Sequence, residues 1–328
     1  MTFKAYRIHE VDGKVTGHFE DLTLDALTPG EVVIDVEYSG INYKDALAAT
    51  GAGRILRRYP LVGGIDLAGV VRESTDPRHE PGDAVLVTGC GLSETVDGGY
   101  AARARVKGES VIAMPPGLDA FRAMALGTAG FTAALAIHRM ERNGQAPARG
   151  PVVVTGATGG VGSLAIDMLS TRGYEVIAVT GKVQAVDYLK SLGAATVLTR
   201  EQLALGNKPL EAARYAGAID SVGGETLAGL TRHMDFWGNI ASVGLAGGAE
   251  LKTTVMPFIL RGVNLLGINS SATPRGERLE VWQRIAGDLK PRHLERIVSR
   301  TIPFADLPGA FQAYVDGKVT GRTVVKIG

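Results

Sequence analysis

Residues 151–182 read PVVVTGATGGVGSLAIDMLSTRGYEVIAVTGK, and this stretch decides the fold. Val152–Thr155 is a short apolar, β-branched run typical of a strand, and residues 163–171 are predicted to form a helix after a glycine-rich turn. Val176–Val179 predicts a second strand. A glycine-rich turn alone could be an ordinary tight connection. Strand, glycine-rich turn, helix and strand in this order favour a dinucleotide-binding unit.

The glycine-rich turn has the spacing of the dinucleotide fingerprint, with alanine at its first position. Ala157, Gly159 and Gly162 occupy the three glycine positions of G-x-G-x-x-G. Gly159 would let the backbone approach a pyrophosphate, and Gly162 would let the helix pack closely on the strand. The first amides of a helix are good phosphate donors. We therefore expect a cofactor-binding turn made of Ala157, Thr158, Gly159, Gly160, Val161 and Gly162, with residues 158–161 around the pyrophosphate.

The end of the second predicted strand bears on the choice between NAD and NADP. An NAD-preferring site usually has Asp or Glu there, which accepts from the ribose 2′-hydroxyl. Here Glu175 comes too early, and Asp187 falls in the following helix. Lys182 or Arg200 alone could be an ordinary surface charge. Together with the Thr180 hydroxyl, and with no acid in the same place, the two cations suit a 2′-phosphate. The pattern predicts NADPH, bound by Thr180, Gly181, Lys182 and Arg200.

Composition restricts the class of protein. The chain has 328 residues, enough for two medium domains, and its 35 basic residues nearly balance its 34 acidic ones, which speaks against nucleic acid or an anionic membrane as partner. Cys90 is the only cysteine, so we expect no internal disulfide and a reducing, cytoplasmic location. The apolar stretch 124–137 is predicted to be too short to span a bilayer.

The pattern along the chain predicts an α/β protein with two parts. The first 120 or so residues look β-rich, with strands near 31–38, 67–72 and 83–88, and a helix follows at 118–139. Helices are also expected at 277–289 and 305–315, and a last strand at Arg322–Lys326. Six further strands alternating with helices predict a doubly wound parallel sheet, with strands near 151–155, 175–180, 195–198, 217–220, 239–243 and 263–268.

Several separate motifs resemble one family. They are GINYKD at 40–45, GIDLAG at 64–69, GTAGFTA at 127–133, GLAGG at 244–248, a segment at 253–261 and GRT at 321–323. In this order they resemble the acrylyl-CoA reductase (NADPH) family, in the zinc-free quinone-oxidoreductase branch of the medium-chain dehydrogenase/reductase superfamily. The resemblance implies a GroES-like catalytic domain (1–126 with 269–328), a Rossmann domain (127–268), NADPH and homodimers.

The same resemblance bears on metal binding. Asn42, Ile65 and Thr128 stand where zinc alcohol dehydrogenases of the superfamily have Cys, His and Cys. Catalytic zinc needs three sulfur, nitrogen or carboxylate donors, which these residues do not supply. The four-cysteine zinc lobe is absent, and the six histidines show no paired ligand spacing in sequence. We therefore expect no metal site.

Without a Lewis acid, the substrate must carry its own electron sink, as an enone, a quinone or an enoyl thioester does. Hydride then adds to the β-carbon, charge moves to the carbonyl oxygen and the α-carbon takes a proton. The resemblance places Tyr43 at the nicotinamide, where its phenol could donate; packing, with solvent as the proton source, is the alternative. Asn42 could donate beside it or stabilise a turn. By resemblance, Leu245, Ile259 and Ser270 contact the nicotinamide half, although the first two could be ordinary core residues.

The expected activity is therefore NADPH-dependent reduction of the small-molecule substrate acrylyl-CoA, or a close enoyl thioester, to propanoyl-CoA. A quinone or enone reductase of the same branch is the alternative. A noncatalytic NADPH-binding scaffold is a second alternative. Four basic residues could contact coenzyme A or belong to a solvated loop: Lys44, Arg54, Arg57 and Arg58.

Overall fold

The computed structural model describes all 328 residues. They form two compact units: the first comprises Met1–Thr128, Ser270–Ala286 and Leu294–Gly328, and the second comprises Ala129–Asn269 and Gly287–His293. The predicted division, 1–126 with 269–328 and 127–268, differs most at Gly287–His293. This segment belongs to the second unit, where the His293 backbone N–H donates to Asp167 at 2.8 Å.

Sixteen strands occur along the chain. They are β1 (Phe3–Val11), β2 (Lys14–Leu22), β3 (Val32–Ile41), β4 (Leu61–Val62), β5 (Asp66–Ser74), β6 (Ala84–Thr88), β7 (Arg103–Val106), β8 (Ile112–Ala113), β9 (Val152–Thr155), β10 (Val176–Val179), β11 (Thr196–Leu198), β12 (Tyr215–Asp220), β13 (Met234–Ser242), β14 (Asn264–Gly267), β15 (Val298–Pro303) and β16 (Arg322–Lys326).

Nine α-helices connect them. They are α1 (Tyr43–Thr50), α2 (Ala120–Arg142), α3 (Gly160–Thr171), α4 (Val186–Ser191), α5 (Gly224–His233), α6 (Met256–Arg261), α7 (Arg275–Ala286), α8 (Leu294–Ile297) and α9 (Leu307–Val315). The sequence predicted four helices by residue range, at 118–139, 163–171, 277–289 and 305–315. They correspond to α2, α3, α7 and α9, with ends that differ by a few residues.

The first unit contains two sheets. A three-stranded antiparallel sheet has the order β2-β1-β4, and a seven-stranded sheet has the order β15-β16-β3-β5-β6-β8, with β7 paired to β3. Aromatic side chains fill one core of this unit, with Tyr6, Tyr100 and Phe311 buried beside one another. The seven-stranded sheet joins segments distant in sequence, because β16 lies between β15 and β3.

The second unit is the doubly wound sheet that the sequence predicted. Six parallel strands lie in the order β11-β10-β9-β12-β13-β14, so the direction of winding changes between β9 and β12. Ligands of such sheets bind outside the carboxyl ends of the strands at this change of direction. All six predicted strands are present. The largest boundary error is in β13, which begins at Met234 because an irregular pairing with Tyr215 extends it.

Helix α2 corrects the expectation for the apolar stretch 124–137. It has 23 residues and is long and apolar enough, by length and composition alone, to cross a membrane. Yet 83% of its most apolar window is buried inside the protein, as expected of a core helix. Gly127 interrupts it with a left-handed backbone, φ 52° and ψ −155°.

Candidate functional site

The turn between β9 and α3 has the shape that a pyrophosphate site needs. Gly156 takes a φ of +60°, and its carbonyl accepts the N–H of Gly159 at 2.9 Å. A Cβ on Gly162 would lie 2.5 Å from the Gly156 oxygen, whereas one on Gly159 would lie 3.3 Å from it. Gly162 is therefore the position where glycine is required, because strand and helix come closest there.

The six residues predicted to form the cofactor-binding turn all lie between β9 and the first turn of α3. Ala157 is fully buried and its N–H donates to the Val179 carbonyl at 3.2 Å, which joins the turn to β10. Ser163 fixes the helix start, since its hydroxyl donates to the Ala157 carbonyl at 3.2 Å. The first amides of α3 have no partner within a helix and carry partial positive charge. Phosphate contacts by these residues stay a prediction.

The end of β10 gathers the residues predicted to bind a 2′-phosphate. Thr180 is buried, and its hydroxyl oxygen accepts the N–H of Lys182 at 3.0 Å. Arg200, which follows β11, lies against the backbone of Gly181, where a Cβ would be 3.3 Å from its Nε. Partial burial lowers the pKa of Lys182. The structure therefore places Arg200 against the backbone that leads into Lys182, and binding of a 2′-phosphate by the two cations stays a prediction.

Sequence reasoning missed Asp220, which ends β12 at the change of winding direction. Its carboxylate accepts the Thr155 hydroxyl at 2.5 Å and the Gly223 N–H at 2.7 Å. The Ser221 N–H donates to the same Thr155 hydroxyl at 3.1 Å. Burial raises the pKa of Asp220. These hydrogen bonds connect the loops that follow β9 and β12. An acidic residue at the carboxyl end of a predicted strand was the sequence feature that could have indicated Asp220.

The three residues predicted to contact the nicotinamide half fall in different places. Leu245 is 63% exposed and lines a cavity of about 240 Å³ with Gly223, Ser242 and Leu251. Ile259 on α6 is 71% exposed. Both exposures argue against the alternative that these two are core residues. Ser270 belongs to the first unit, where its carbonyl accepts Nη2 of Arg278 at 2.9 Å.

A buried polar cluster in the first unit surrounds the start of α1. Asn42 precedes the helix, and its Nδ2 donates to Asp45 at 3.0 Å and to Asp66 at 2.8 Å. Asp66 also accepts the Thr128 hydroxyl at 2.5 Å and the Thr128 N–H at 2.9 Å. Burial and the neighbouring charge of Asp66 raise the pKa of Asp45 to about 7, although N–H donors oppose the change.

Arg322, the first residue of β16, completes this cluster. It is 2% exposed, and its Nη1 donates to the Asn42 side-chain oxygen at 2.9 Å and to the Ile41 carbonyl at 3.1 Å. Its Nε donates to the Ala125 carbonyl at 3.0 Å. Sequence reasoning noted Arg322 only as part of a motif. Its contacts join segments about 200 and 280 positions apart, which no local pattern reveals.

Tyr43 and Asn42, the two predicted catalytic residues, differ in availability. Tyr43 is the first residue of α1, is 44% exposed, and its hydroxyl makes no hydrogen bond within the chain. Asn42 is buried, and both amide hydrogens are used by Asp45 and Asp66. The geometry therefore supports the turn-stabilising interpretation of Asn42 rather than donation to a substrate, while Tyr43 remains free to donate.

The positions of the superfamily's catalytic zinc ligands do not suit zinc in this chain. Ile65 has no donor atom and is 4% exposed. Asn42 and Thr128 present donor hydrogens to Asp66 rather than lone pairs to a common point. Zinc binds thiolate, imidazole or carboxylate, and three such ligands do not meet here.

Comparisons with known proteins place the chain in a family. A model described as an alcohol dehydrogenase GroES-like domain matches residues 28–130, and one described as a zinc-binding dehydrogenase matches residues 160–287. The acrylyl-CoA reductase AcuI of Ruegeria pomeroyi is 47% identical over 319 residues, which cover 97% of this chain and 96% of that protein. The chain belongs to the acrylyl-CoA reductase family.

Solved structures of related proteins agree with this membership. The YhdH oxidoreductase of Salmonella enterica, crystallised with NADP, is 46% identical and has a TM-score of 0.96, covering 99% of this chain and 100% of its own. YhfP of Bacillus subtilis, provisionally named a quinone oxidoreductase and crystallised with NAD, is 45% identical with a TM-score of 0.96, covering both chains fully. The predicted GroES-like and Rossmann fold is confirmed.

Proposed function

We propose that this member of the acrylyl-CoA reductase family reduces the carbon–carbon double bond of acrylyl-CoA to give propanoyl-CoA, with NADPH as the reductant. Similarity over nearly the full chain to the Ruegeria pomeroyi acrylyl-CoA reductase carries this proposal. The choice of NADPH is supported by the turn at the end of β10, where the Lys182 N–H donates to Thr180 and Arg200 lies against Gly181.

NADPH would be held by the second unit. The turn 156–159 and the first amides of α3 would bind its pyrophosphate, and Gly181, Lys182 and Arg200 its 2′-phosphate. When bound, NADPH supplies the hydride that the β-carbon of the alkene accepts. Leu245 and Ile259, both exposed, are available to pack against the nicotinamide half.

The chain's own contribution to the reaction is assigned to Tyr43. Its hydroxyl, unbonded within the chain, would donate a hydrogen bond to the substrate carbonyl oxygen as negative charge develops there. The same hydroxyl can pass a proton, directly or through water, to the α-carbon. Asn42, Asp66 and Arg322 would act by fixing the start of α1, which carries Tyr43.

A quinone or enone reductase is the second candidate, favoured by the provisional name of YhfP. Steady-state kcat/KM values for acrylyl-CoA and 1,4-benzoquinone, both measured with NADPH, distinguish the two. We expect acrylyl-CoA to be preferred. A quinone preference above about tenfold, roughly 1.4 kcal/mol of transition-state stabilisation, would reverse the assignment. NADPH binding without turnover of either substrate would favour the noncatalytic scaffold.

The homodimer and the cytoplasmic location are also proposals. Strand β14 is an edge of the parallel sheet, and Leu265 on it is exposed, as are Phe236 and Trp237 of β13. An unpaired edge with apolar neighbours favours pairing with a second copy. Light scattering after size exclusion should give twice the mass of one chain, and Leu265→Lys should shift the measured mass towards that of the monomer.

The single cysteine supports the proposed location in a reducing compartment such as the cytoplasm.

A further inference from the structure

Two histidines and a glutamate meet on the outer face of the β1–β2 hairpin. His9 lies on β1, and His18 and Glu20 lie on β2, where alternate residues share a face. His18 Nε2 is 3.0 Å from Oε1 of Glu20, and His9 Nε2 contacts the same oxygen. The two imidazole rings are stacked, with centroids 4.7 Å apart and planes inclined by 10°.

The opposite face of the hairpin is fixed in the core. Tyr6 and Ile8 are buried, and the Tyr6 ring packs on Phe19 of the facing strand at 5.4 Å and on Phe311 at 5.7 Å. A Cβ on Gly17 would lie 2.3 Å from the Tyr6 hydroxyl, so the Tyr6 ring packs directly against the backbone of β2 at Gly17. The three outward side chains therefore stand on a rigid base, which lowers the entropy cost of binding one ligand together.

The spacing of the three ligand atoms suits a small cation. One donor atom from each side chain lies within 4.8 Å of the other two. In a tetrahedral zinc site with bonds of about 2.0–2.1 Å, ligand atoms are about 3.4 Å apart. Arg7, which faces His18 across the hairpin, lies 3.5 Å from the other carboxylate oxygen, Oε2. Oε1 is thus the oxygen directed at the imidazoles.

We propose that His9, His18 and Glu20 form a binding site for a divalent late transition metal ion, with Zn²⁺ as the natural probe. Two imidazole nitrogens and one carboxylate oxygen are a known zinc ligand set, and water would take the fourth position. Binding would replace the contacts of the two imidazoles with Glu20 by bonds to the ion. The site is distinct from Asn42, Ile65 and Thr128, and it does not depend on the proposed reaction.

This proposal departs from the expectation of no metal site, which rested in part on the absence of paired histidine spacing in the sequence. That expectation rested on spacing along one strand or helix, whereas His9 and His18 are brought together across two antiparallel strands. A turn of two residues between β1 and β2 sets the pairing Arg7↔His18 and His9↔Thr16, and so places the rings as neighbours.

Isothermal titration of the full, chelator-treated protein with ZnCl₂ tests the proposal. We expect one Zn²⁺ per chain. His9→Gln, His18→Gln and Glu20→Gln should each weaken binding by more than about 100-fold, the upper end of the cost of losing an outer-shell partner. His293→Gln, which removes another carboxylate-paired histidine, and Glu10→Gln, on the same hairpin, are matched controls that should bind as the wild type does.

Co²⁺ provides a second, independent measurement, because its visible absorption depends on the ligands and their geometry. The wild-type spectrum should be intense and should be lost in His18→Gln. The His18 side chain is exposed, so misfolding would not explain that loss. Circular dichroism should show unchanged folding in all variants. Absence of stoichiometric Zn²⁺ binding, or equal binding by the three site variants and the controls, would overturn the proposal.

Discussion

At the residue scale, the cations at the end of β10 make the cofactor preference testable. Lys182→Asp places a carboxylate where a 2′-phosphate would lie and should weaken NADPH binding at least about tenfold, since a hydrogen bond to a charged group contributes about 1.5–3 kcal/mol. NADH has no 2′-phosphate and should be little affected. Dissociation constants for both cofactors, measured by fluorescence titration, check this.

The matched control for this substitution is Lys190→Asp, which makes the same change at an exposed lysine of α4. It should leave both constants near wild type. An equal loss of NADPH and NADH binding in Lys182→Asp would contradict the assignment of Lys182 to the 2′-phosphate.

Tyr43 carries the second residue-scale prediction. Tyr43→Phe removes only the hydroxyl and should lower kcat for acrylyl-CoA by about 10²–10⁴, the usual contribution of general acid–base catalysis, with NADPH affinity kept. The steady-state rate of NADPH oxidation at saturating acrylyl-CoA gives kcat. Tyr38→Phe, at a tyrosine that packs edge-on against Phe121, is the control. An unchanged kcat would make Tyr43 a packing residue.

Residues with local signals were predictable, and residues joined across the chain were not. Thr180, Lys182 and the turn glycines follow from one βαβ segment, in which sequence neighbours are also spatial neighbours. Arg322 is different: a buried arginine cannot be told from a surface arginine until β16 is known to lie beside β3. The hydrogen bonds of Asn42 likewise depend on Asp66 and Arg322.

At the scale of elements, the contact of α3 with the end of β9 predicts unequal effects for two glycines. Gly162→Ala would force a Cβ to 2.5 Å from the Gly156 oxygen, whereas Gly159→Ala would approach the same atom only to 3.3 Å. We expect Gly162→Ala to destabilise the protein by about 1–3 kcal/mol, as overpacking does, and to weaken NADPH binding.

Urea unfolding of both glycine variants, with and without NADPH, measures these effects. Gly159→Ala should lose clearly less stability than Gly162→Ala. Equal destabilisation by the two substitutions would show that the helix start can shift to accept either side chain.

Elements with one strong periodic signal were well predicted, and their ends were not. The parallel strands are short apolar runs bounded by turn residues, so their existence follows from burial on both faces. The start of β13 depends instead on irregular pairing with Tyr215 of a neighbouring strand. Helix α2 was predicted at 118–139, and it instead begins at Ala120 and extends to Arg142, because the polar residues at its carboxyl end continue the helix.

At the scale of the whole molecule, the buried carboxyl of Asp45 makes stability depend on pH. Its pKa is about 7 in the folded protein, above the ordinary 3.8, so the native state keeps a proton that the unfolded chain releases. Stability relative to Asp45→Asn should therefore be largest near pH 4 and fall as pH rises to 7. At about 1.4 kcal/mol per pKa unit, the difference is at most about 4 kcal/mol.

Urea denaturation of both proteins between pH 4 and 8 gives this difference as a function of pH. Asp21→Asn, at an exposed aspartate of β2, is the control and should run parallel to the wild type. Parallel curves for the wild type and Asp45→Asn would mean that Asp45 is ionised throughout.

The whole-molecule arrangement was predictable only in part. The doubly wound order of the second unit follows from alternating strands and helices, whose crossovers are right-handed. The order of strands in the first unit cannot be predicted from local hydrophobic periodicity, because antiparallel neighbours such as β3 and β16 lie about 280 positions apart.

The insertion of β16 between β15 and β3 has a consequence for synthesis on the ribosome. The first unit is the first to leave the ribosome. Its seven-stranded sheet and the hydrogen bond to the side-chain oxygen of Asn42 cannot be completed until β16, which begins at Arg322, has been synthesised. The second unit lies almost wholly within one continuous segment and can fold earlier. A polypeptide released before β16 would thus carry a formed nucleotide-binding half beside a disordered tyrosine-bearing half, which quality-control proteases can recognise.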